Sequence, residues 1–176
     1  MDHGHNLLLY NISQQENIIG KTIIEVGTVR ENLEGQNSTR DIINFCIKND
    51  MHFITIDMDS ECSNNAKILS DELNFKNIEI VTAKGEDYLK SLKNFDYIYL
   101  DGYDYDHGKH TQKRKDRYLK CLEENLTNES CWNSHFKMAE ILNKKALKHS
   151  LICFDDIISE KVGKGVTALP FLIQNK

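Results

Sequence analysis

A chain of 176 residues with 40% apolar side chains has material for a sizeable core, and we expect residues 1–176 to form one domain. Its formal charge of -5 argues against a protein that coats nucleic acid, because neutralising phosphates takes a basic surface. The apolar runs are a few residues long and the N-terminal stretch lacks a basic start with an apolar core. Neither a membrane partner nor a signal peptide is therefore expected, and the cytoplasm is the expected compartment.

In chain order, Asn6 to Ile19 carries Leu7, Leu8, Leu9, Ile12, Ile18 and Ile19 and predicts one N-terminal helix or two short ones, closed by Gly20. Thr22 to Val26 reads as a first buried strand breaking at Gly27, followed by a polar loop to Asn37. Ser38 is the predicted N-cap of a helix whose apolar stripe is Ile42, Ile43, Cys46 and Ile47. The unit repeats: His52 to Ile56 is a strand ending in Asp57-Met58-Asp59, and Cys62, Ala66, Leu69 and Leu73 mark the next helix. A third strand, Ile78 to Thr82, leads to a short helix opened by Gly85-Glu86-Asp87, whose acids favour the helix N-terminus.

The fourth strand, Tyr97 to Leu100, is aromatic and β-branched without strict alternation, as a strand covered on both faces is, and it stops at Asp101-Gly102. From His110 to His149 the spacing predicts two helices with a break at Asn125 to Asn128. Trp132, Phe136, Ala139, Leu142 and Ala146 share one face of the second, with His135 beside it. The run Lys113 to Arg117 reads as a solvated face or a contact for an anionic substrate. Ser150 to Phe154 is a fifth strand, again ending in acids, Asp155 and Asp156, and Gly163 to Asn175 is a last helix interrupted by Pro170. Alternating strands and helices imply a parallel sheet covered on both faces. Cys46, Cys62, Cys121, Cys131 and Cys153 form no Cys-x-x-Cys pair and should be reduced thiols.

The strand ends carry the chemistry, since ligands of open α/β sheets sit beyond the carboxyl ends of the strands. At Gly27-Thr28 backbone N–H groups can approach a carboxylate closely. Asp57 can accept from both hydroxyls of a ribose, Met58 offers a soft apolar surface to a base, and Glu86 or Asp87 can accept from an exocyclic amine. Ordinary turn chemistry is the alternative for each residue taken singly. Gly-x-Gly-x-x-Gly is absent, Val29 standing where its second glycine would be, which weighs against a nicotinamide cofactor. Asp101, Asp155 and Asp156 end neighbouring strands, so their oxygens can converge on a hard cation such as Mg2+; the alternative is that the last two cap the following segment. Asp104, Asp106, His107 and His110 offer a further ligand or a general base for a hydroxyl proton, a task suited to histidine.

Glu25-Val-Gly27, Gly35-Gln-Asn-Ser38-Thr39, Asp57-Met58, Gly85-Glu86-Asp87, Leu100-Asp101-Gly102 and Phe154-Asp155-Asp156 occur in an order that resembles class I S-adenosylmethionine-dependent methyltransferases, over roughly Lys21 to Asp156. The branch it looks most like is the metal-dependent O-methyltransferases, catechol-type enzymes and those acting on sugars of antibiotics and glycans. The resemblance implies a Rossmann-like α/β fold with strand order 3-2-1-4-5. It implies S-adenosylmethionine held by Glu25, Gly27, Thr28, Ser38, Asp57, Met58, Gly85, Glu86, Asp87 and Asp101. Mg2+ or Mn2+ would sit on Asp101, Asp155 and Asp156, the last where catechol-type enzymes carry asparagine. Methyl transfer to a hydroxyl of a small molecule or glycan would use His107 or Asp104 as base, with His135 lining the acceptor pocket. A ligand-binding domain that has lost catalysis and a metal-dependent hydrolase remain as alternatives. Only about twenty residues follow Asp156, too few for the usual sixth and seventh strands, so we expect either that the sequence is truncated or that a partner, a second copy of the chain among them, covers the exposed edge beside strand five.

Overall fold

The computed structural model describes residues 4–28, 37–159 and 161–175. The loop positions Val29 and Gly35, on which part of the glycine-loop reading rests, lie outside them. Five strands make one parallel sheet in the order β3-β2-β1-β4-β5: β1 (Thr22–Val26), β2 (His52–Asp57), β3 (Ile78–Thr82), β4 (Phe95–Leu100) and β5 (Ala146–Phe154). This is the expected Rossmann-like order. It reverses between β1 and β4, which opens a crevice at their carboxyl ends.

Alternation along the strands divides the core. Ile23, Phe53, Tyr97 and Tyr99 face one side and pack with Leu8 and Ile12 of α1 (Gly4–Ser13), Ile42, Ile43 and Cys46 of α2 (Ser38–Asn49) and Leu69 of α3 (Ser60–Glu72). Ile24, Val26, Ile56, Ile98 and Leu100 face the other, against Leu89 of α4 (Gly85–Ser91), Met138, Ala139 and Leu142 of α6 (Asn128–Asn143) and Ala168 of α7 (Ala168–Gln174). Each such side chain taken fully from water contributes about 1.5–3 kcal/mol, so the central strands are held from both faces. A third cluster, Tyr103, Tyr118, Leu126 and Cys131, fastens α5 (Gln112–Leu122) over the strand ends.

Several local expectations shift. The N-terminal helix stops at Ser13, and α2 is capped by the Asn37 side chain, which accepts from the Arg40 N–H, rather than by Ser38. Ile47 is exposed. The buried stripe of α6 is Cys131, His135, Met138, Ala139 and Leu142, one position out of phase with the expected aromatic stripe. Trp132 and Phe136 are half-buried on its flank, the latter against Phe171, while Ala146 is exposed at the start of β5. Beyond β5, Ile157–Ser159 (β6) and Val162–Gly163 (β7) form an antiparallel hairpin separate from the main sheet. Pro170 does not interrupt a helix; it lies in the first turn of α7, where no intrahelical N–H bond is lost. No helix among the described residues is long and apolar enough to cross a membrane.

Candidate active site

Two cavities open at the carboxyl edge of the sheet, on either side of residues 101–104. The first, about 250 Å³, lies over the ends of β1, β2 and β3 and is lined by Gly27, Asp57, Met58, Gly85, Glu86 and Gly102, with α6 as its far wall. The second, about 300 Å³, is lined by Asp101, Asp104, His107, His110, Asp155 and Asp156. Gly102 and Tyr103 face one cavity, Asp101 and Asp104 the other.

Glycine is required at the seam between them. Gly27 has φ +100°, and a Cβ there would lie 2.6 Å from the Asp101 carbonyl. Gly85 is similarly close to Val26, where a Cβ would meet Cγ1 at 2.5 Å. The loops after β1 and β4 thus meet backbone to backbone, and the loop after β3 packs its glycine on the Val26 side chain.

Asp57 is where the sequence puts it, but it is engaged within the protein. It accepts from the N–H groups of Thr28 (3.1 Å) and Asp59 (2.8 Å), and Arg117 of α5 donates to it at 2.6 Å while also donating to Asp59 at 2.7 Å. Arg117 is therefore not part of a solvated basic face. Arg114 also turns inward, gripping Asp104 through Nε (3.0 Å) and Nη2 (3.1 Å). Glu86 lines the first cavity and accepts from Ser134 at 3.3 Å. Asp87 does not line it; it pairs with Lys90 at the surface, which lowers its carboxyl pKa.

Glu25 is not a cavity residue either. It is fully buried and accepts from the hydroxyls of Ser38 (2.6 Å), Thr39 (2.8 Å) and Thr55 (2.8 Å), knotting β1 to α2 and β2. Burial pushes its pKa up to about 7, against the pull of the three hydroxyls. Thr28 joins this knot, 2.6 Å from the Thr55 hydroxyl, and Ser38 also borders the second cavity. These residues shape the glycine turn from behind.

Of the candidate bases, Asp104 is held by the Arg114 fork and by the Tyr118 hydroxyl, which donates to its carboxylate and accepts from its N–H, both at 2.8 Å. A carboxylate gripped in this way is a poor proton acceptor. His107 is exposed at the cavity mouth, its Nδ1 accepting from the Lys109 N–H at 3.2 Å and its ring against His110 at 4.2 Å, which leaves Nε2 to meet a ligand. His135 corrects the expectation of a pocket histidine: it is fully buried and lines neither cavity. Its Nδ1–H donates to the Cys131 carbonyl at 2.9 Å and its Nε2 has no partner among the described residues. Burial, then the nearby Lys164 ammonium, lowers its pKa to about 4, so it is neutral at physiological pH.

Asp101, Asp155 and Asp156 do converge, each offering an oxygen within 4.8 Å of the others. A cation is already among them. The buried Lys164, just after β7, ion-pairs with Asp101 and with Asp156 (3.2 Å), and its third contact is the Asp101 carbonyl at 3.4 Å. Burial alone would lower the lysine pKa, but the carboxylates of Asp101, Asp156 and Asp104 outweigh it and raise it, so the ammonium stays charged. Burial pushes Asp101 up to about 6 while Lys164 pulls it down, which leaves the pair ionised at neutral pH. The ammonium takes the Asp101 and Asp156 oxygens that a divalent ion would need, and at that range it repels such an ion. The acids with Lys164 in place therefore do not fit Mg2+. The sequence signal missed was Gly163-Lys164-Gly165, glycines flanking a lysine soon after the acids, read instead as the start of a helix.

No family model and no curated protein matches the chain. Solved structures do match in fold. They include precorrin-6Y C5,15-methyltransferase from Geobacter metallireducens (TM-score 0.59, 9% identity, 97% of this chain and 70% of that one). A methyltransferase homologue from Pyrococcus horikoshii aligns at TM-score 0.61 and 12% identity over 95% of this chain and 49% of that one. TrmN from Thermus thermophilus aligns at 0.55 and 10% over 85% and 36%. The chain thus shares the Rossmann-like α/β fold of these solved structures, and it spans half or less of the length of the last two.

Proposed function

We propose that the protein is an S-adenosylmethionine-dependent methyltransferase that binds its cofactor in the first cavity and methylates a polar small molecule in the second. The observation that carries this reading is the crevice where the strand order reverses, lined by Gly27, Gly85 and Gly102, where a Cβ would clash, with Asp57 and Glu86 along its wall. When bound, S-adenosylmethionine supplies an electrophilic methyl group. The chain's task is then to hold the acceptor and take its proton. Asp101, Asp155 and Asp156 border the second cavity, where carboxylate oxygens not taken by Lys164 can accept from hydroxyl or amine donors. His107 is the group at its mouth able to take a hydroxyl proton through Nε2. The acid-lined cavity supports a sugar or other polyol as acceptor over nucleic acid, and the O-methyl product is part of the same proposal.

Calorimetry with S-adenosylhomocysteine tests the cofactor, and label transfer from S-adenosylmethionine to a panel of glycans, polyols, amines and RNA tests the acceptor. His107→Ala should lower kcat and leave cofactor affinity unchanged. Absence of cofactor binding to the folded protein would remove the methyltransferase reading. One observation favours a ligand-binding domain without catalysis: of the candidate bases, Asp104 is gripped by Arg114 and Tyr118, and His135 is buried away from both cavities. Tight cofactor binding with no transfer to any class in the panel is the result that reading expects.

A further inference from the structure

We infer that Lys164 is the resident cation of this site: its ammonium occupies the place that the three strand-end acids would otherwise offer to a divalent metal. The inference rests on the methyltransferase reading only for its catalytic consequence, that methyl transfer here is independent of metal.

The geometry is that of a filled coordination shell. A lysine ammonium has three N–H donors, and Lys164 has three acceptors around it: the Asp101 carboxylate, the Asp156 carboxylate and the Asp101 backbone carbonyl. Two of the three acids that converge are thereby neutralised. The third is tied elsewhere, since Asp155 accepts from the Gly4 N–H at 3.1 Å. Lys164 is fully buried, so its charge has no water to fall back on and depends on these acceptors.

The hairpin after β5 is built to deliver this side chain. Gly163 has φ +111° and lies against the Asp156 carbonyl, where a Cβ has no room. The Lys164 N–H returns to that same carbonyl at 3.2 Å. From α6, the Trp132 indole N–H donates to the Gly163 carbonyl at 3.0 Å, and the Thr167 hydroxyl closes back on the Trp132 carbonyl at 3.0 Å. The backbone on both sides of Lys164 is thus anchored to the helix that also walls the first cavity. A lysine that had merely folded over an acidic surface would need no such anchorage.

The test is Mn2+ binding, followed by electron paramagnetic resonance of the free ion, on metal-stripped protein. Wild type should leave the signal of millimolar Mn2+ unchanged. Lys164→Ala should bind one ion per chain, about a hundredfold more tightly than wild type, because three carboxylates then face each other without a cation. Lys164→Met, which keeps the packing of the stem, is the second variant and should also gain binding, and adding Asp101→Asn to either should abolish the gain. One Mn2+ held by wild type, or no gain in either folded lysine variant, would overturn the assignment. These readouts do not involve methyl transfer, so a failed cofactor titration leaves them standing. Where transfer is found, wild-type turnover should be the same in excess chelator, and its loss would equally count against Lys164.

Discussion

Glu25 and His135 are both fully buried and displaced in opposite senses, and this makes a pH experiment unusually specific. In the folded protein Glu25 keeps its proton up to about 7 against an ordinary 4.5. The folded chain therefore binds more protons than the unfolded one between those values. The stability this carries is complete below pH 4.5 and is lost as pH rises through about 7. His135 takes up a proton only below about 4 against an ordinary 6.5, so its contribution is complete above 6.5 and is lost as pH falls towards 4. Each displacement corresponds to roughly 3 kcal/mol across its window. In wild type the two slopes oppose each other between pH 4.5 and 6.5 and largely cancel. Single variants should uncover them. Relative to wild type, Glu25→Gln should gain roughly 3 kcal/mol as pH is raised from 4.5 to 8, and His135→Leu should gain a similar amount as pH is lowered from 7 to 4. Urea unfolding, followed by the fluorescence of Trp132, the single tryptophan, gives both curves. Variant curves that run parallel to wild type across this range would refute the assignment of buried, oppositely displaced groups.

Gly27→Ala should destabilise the fold by about 2 kcal/mol or more and abolish cofactor binding, because φ +100° disfavours any side chain and the new Cβ meets the Asp101 carbonyl; thermal unfolding and calorimetry check it. Asp57→Ala should weaken S-adenosylhomocysteine by about tenfold or more in calorimetry, from the loss of charge-assisted hydrogen bonds, and an unchanged Kd would place the ribose elsewhere. Tyr118→Phe should cost about 2 kcal/mol in urea unfolding, since one hydroxyl serves both the N–H and the carboxylate of Asp104.

The sheet was legible because its signals are local and repeated: apolar strands ending in Gly27, Asp57, Asp101 and Asp155, alternating with helical stripes. Periodicity identified those helices, and the order of motifs gave the strand order. What was not legible depends on where side chains turn after the chain has folded. Glu25 has the same sequence signature whether it faces a ligand or three hydroxyls, and only its register behind α2 decides between them. The phase of α6 was misjudged because Trp132 and Phe136 outweigh His135 in any hydrophobicity count, although the imidazole is the better buried. The partners of Arg114, Arg117 and Lys164 were not legible because each carboxylate lies elsewhere in the chain, at separations of 10, 60 and 63 residues, and a basic run reads the same whether it meets solvent, an anionic substrate or the protein's own acids.

Two of those cations sit three residues apart on one helix, and each reaches a different cavity. Arg114 holds Asp104 beside the second, and Arg117 holds Asp57 at the edge of the first, so α5 grips both compartments from the same face. In the proposed function, reciprocity then requires that any effect of the cofactor on acceptor affinity through this helix be matched by an equal effect of the acceptor on cofactor affinity. The loops that border the two cavities are thus tied to one helix by two guanidinium grips a single turn apart.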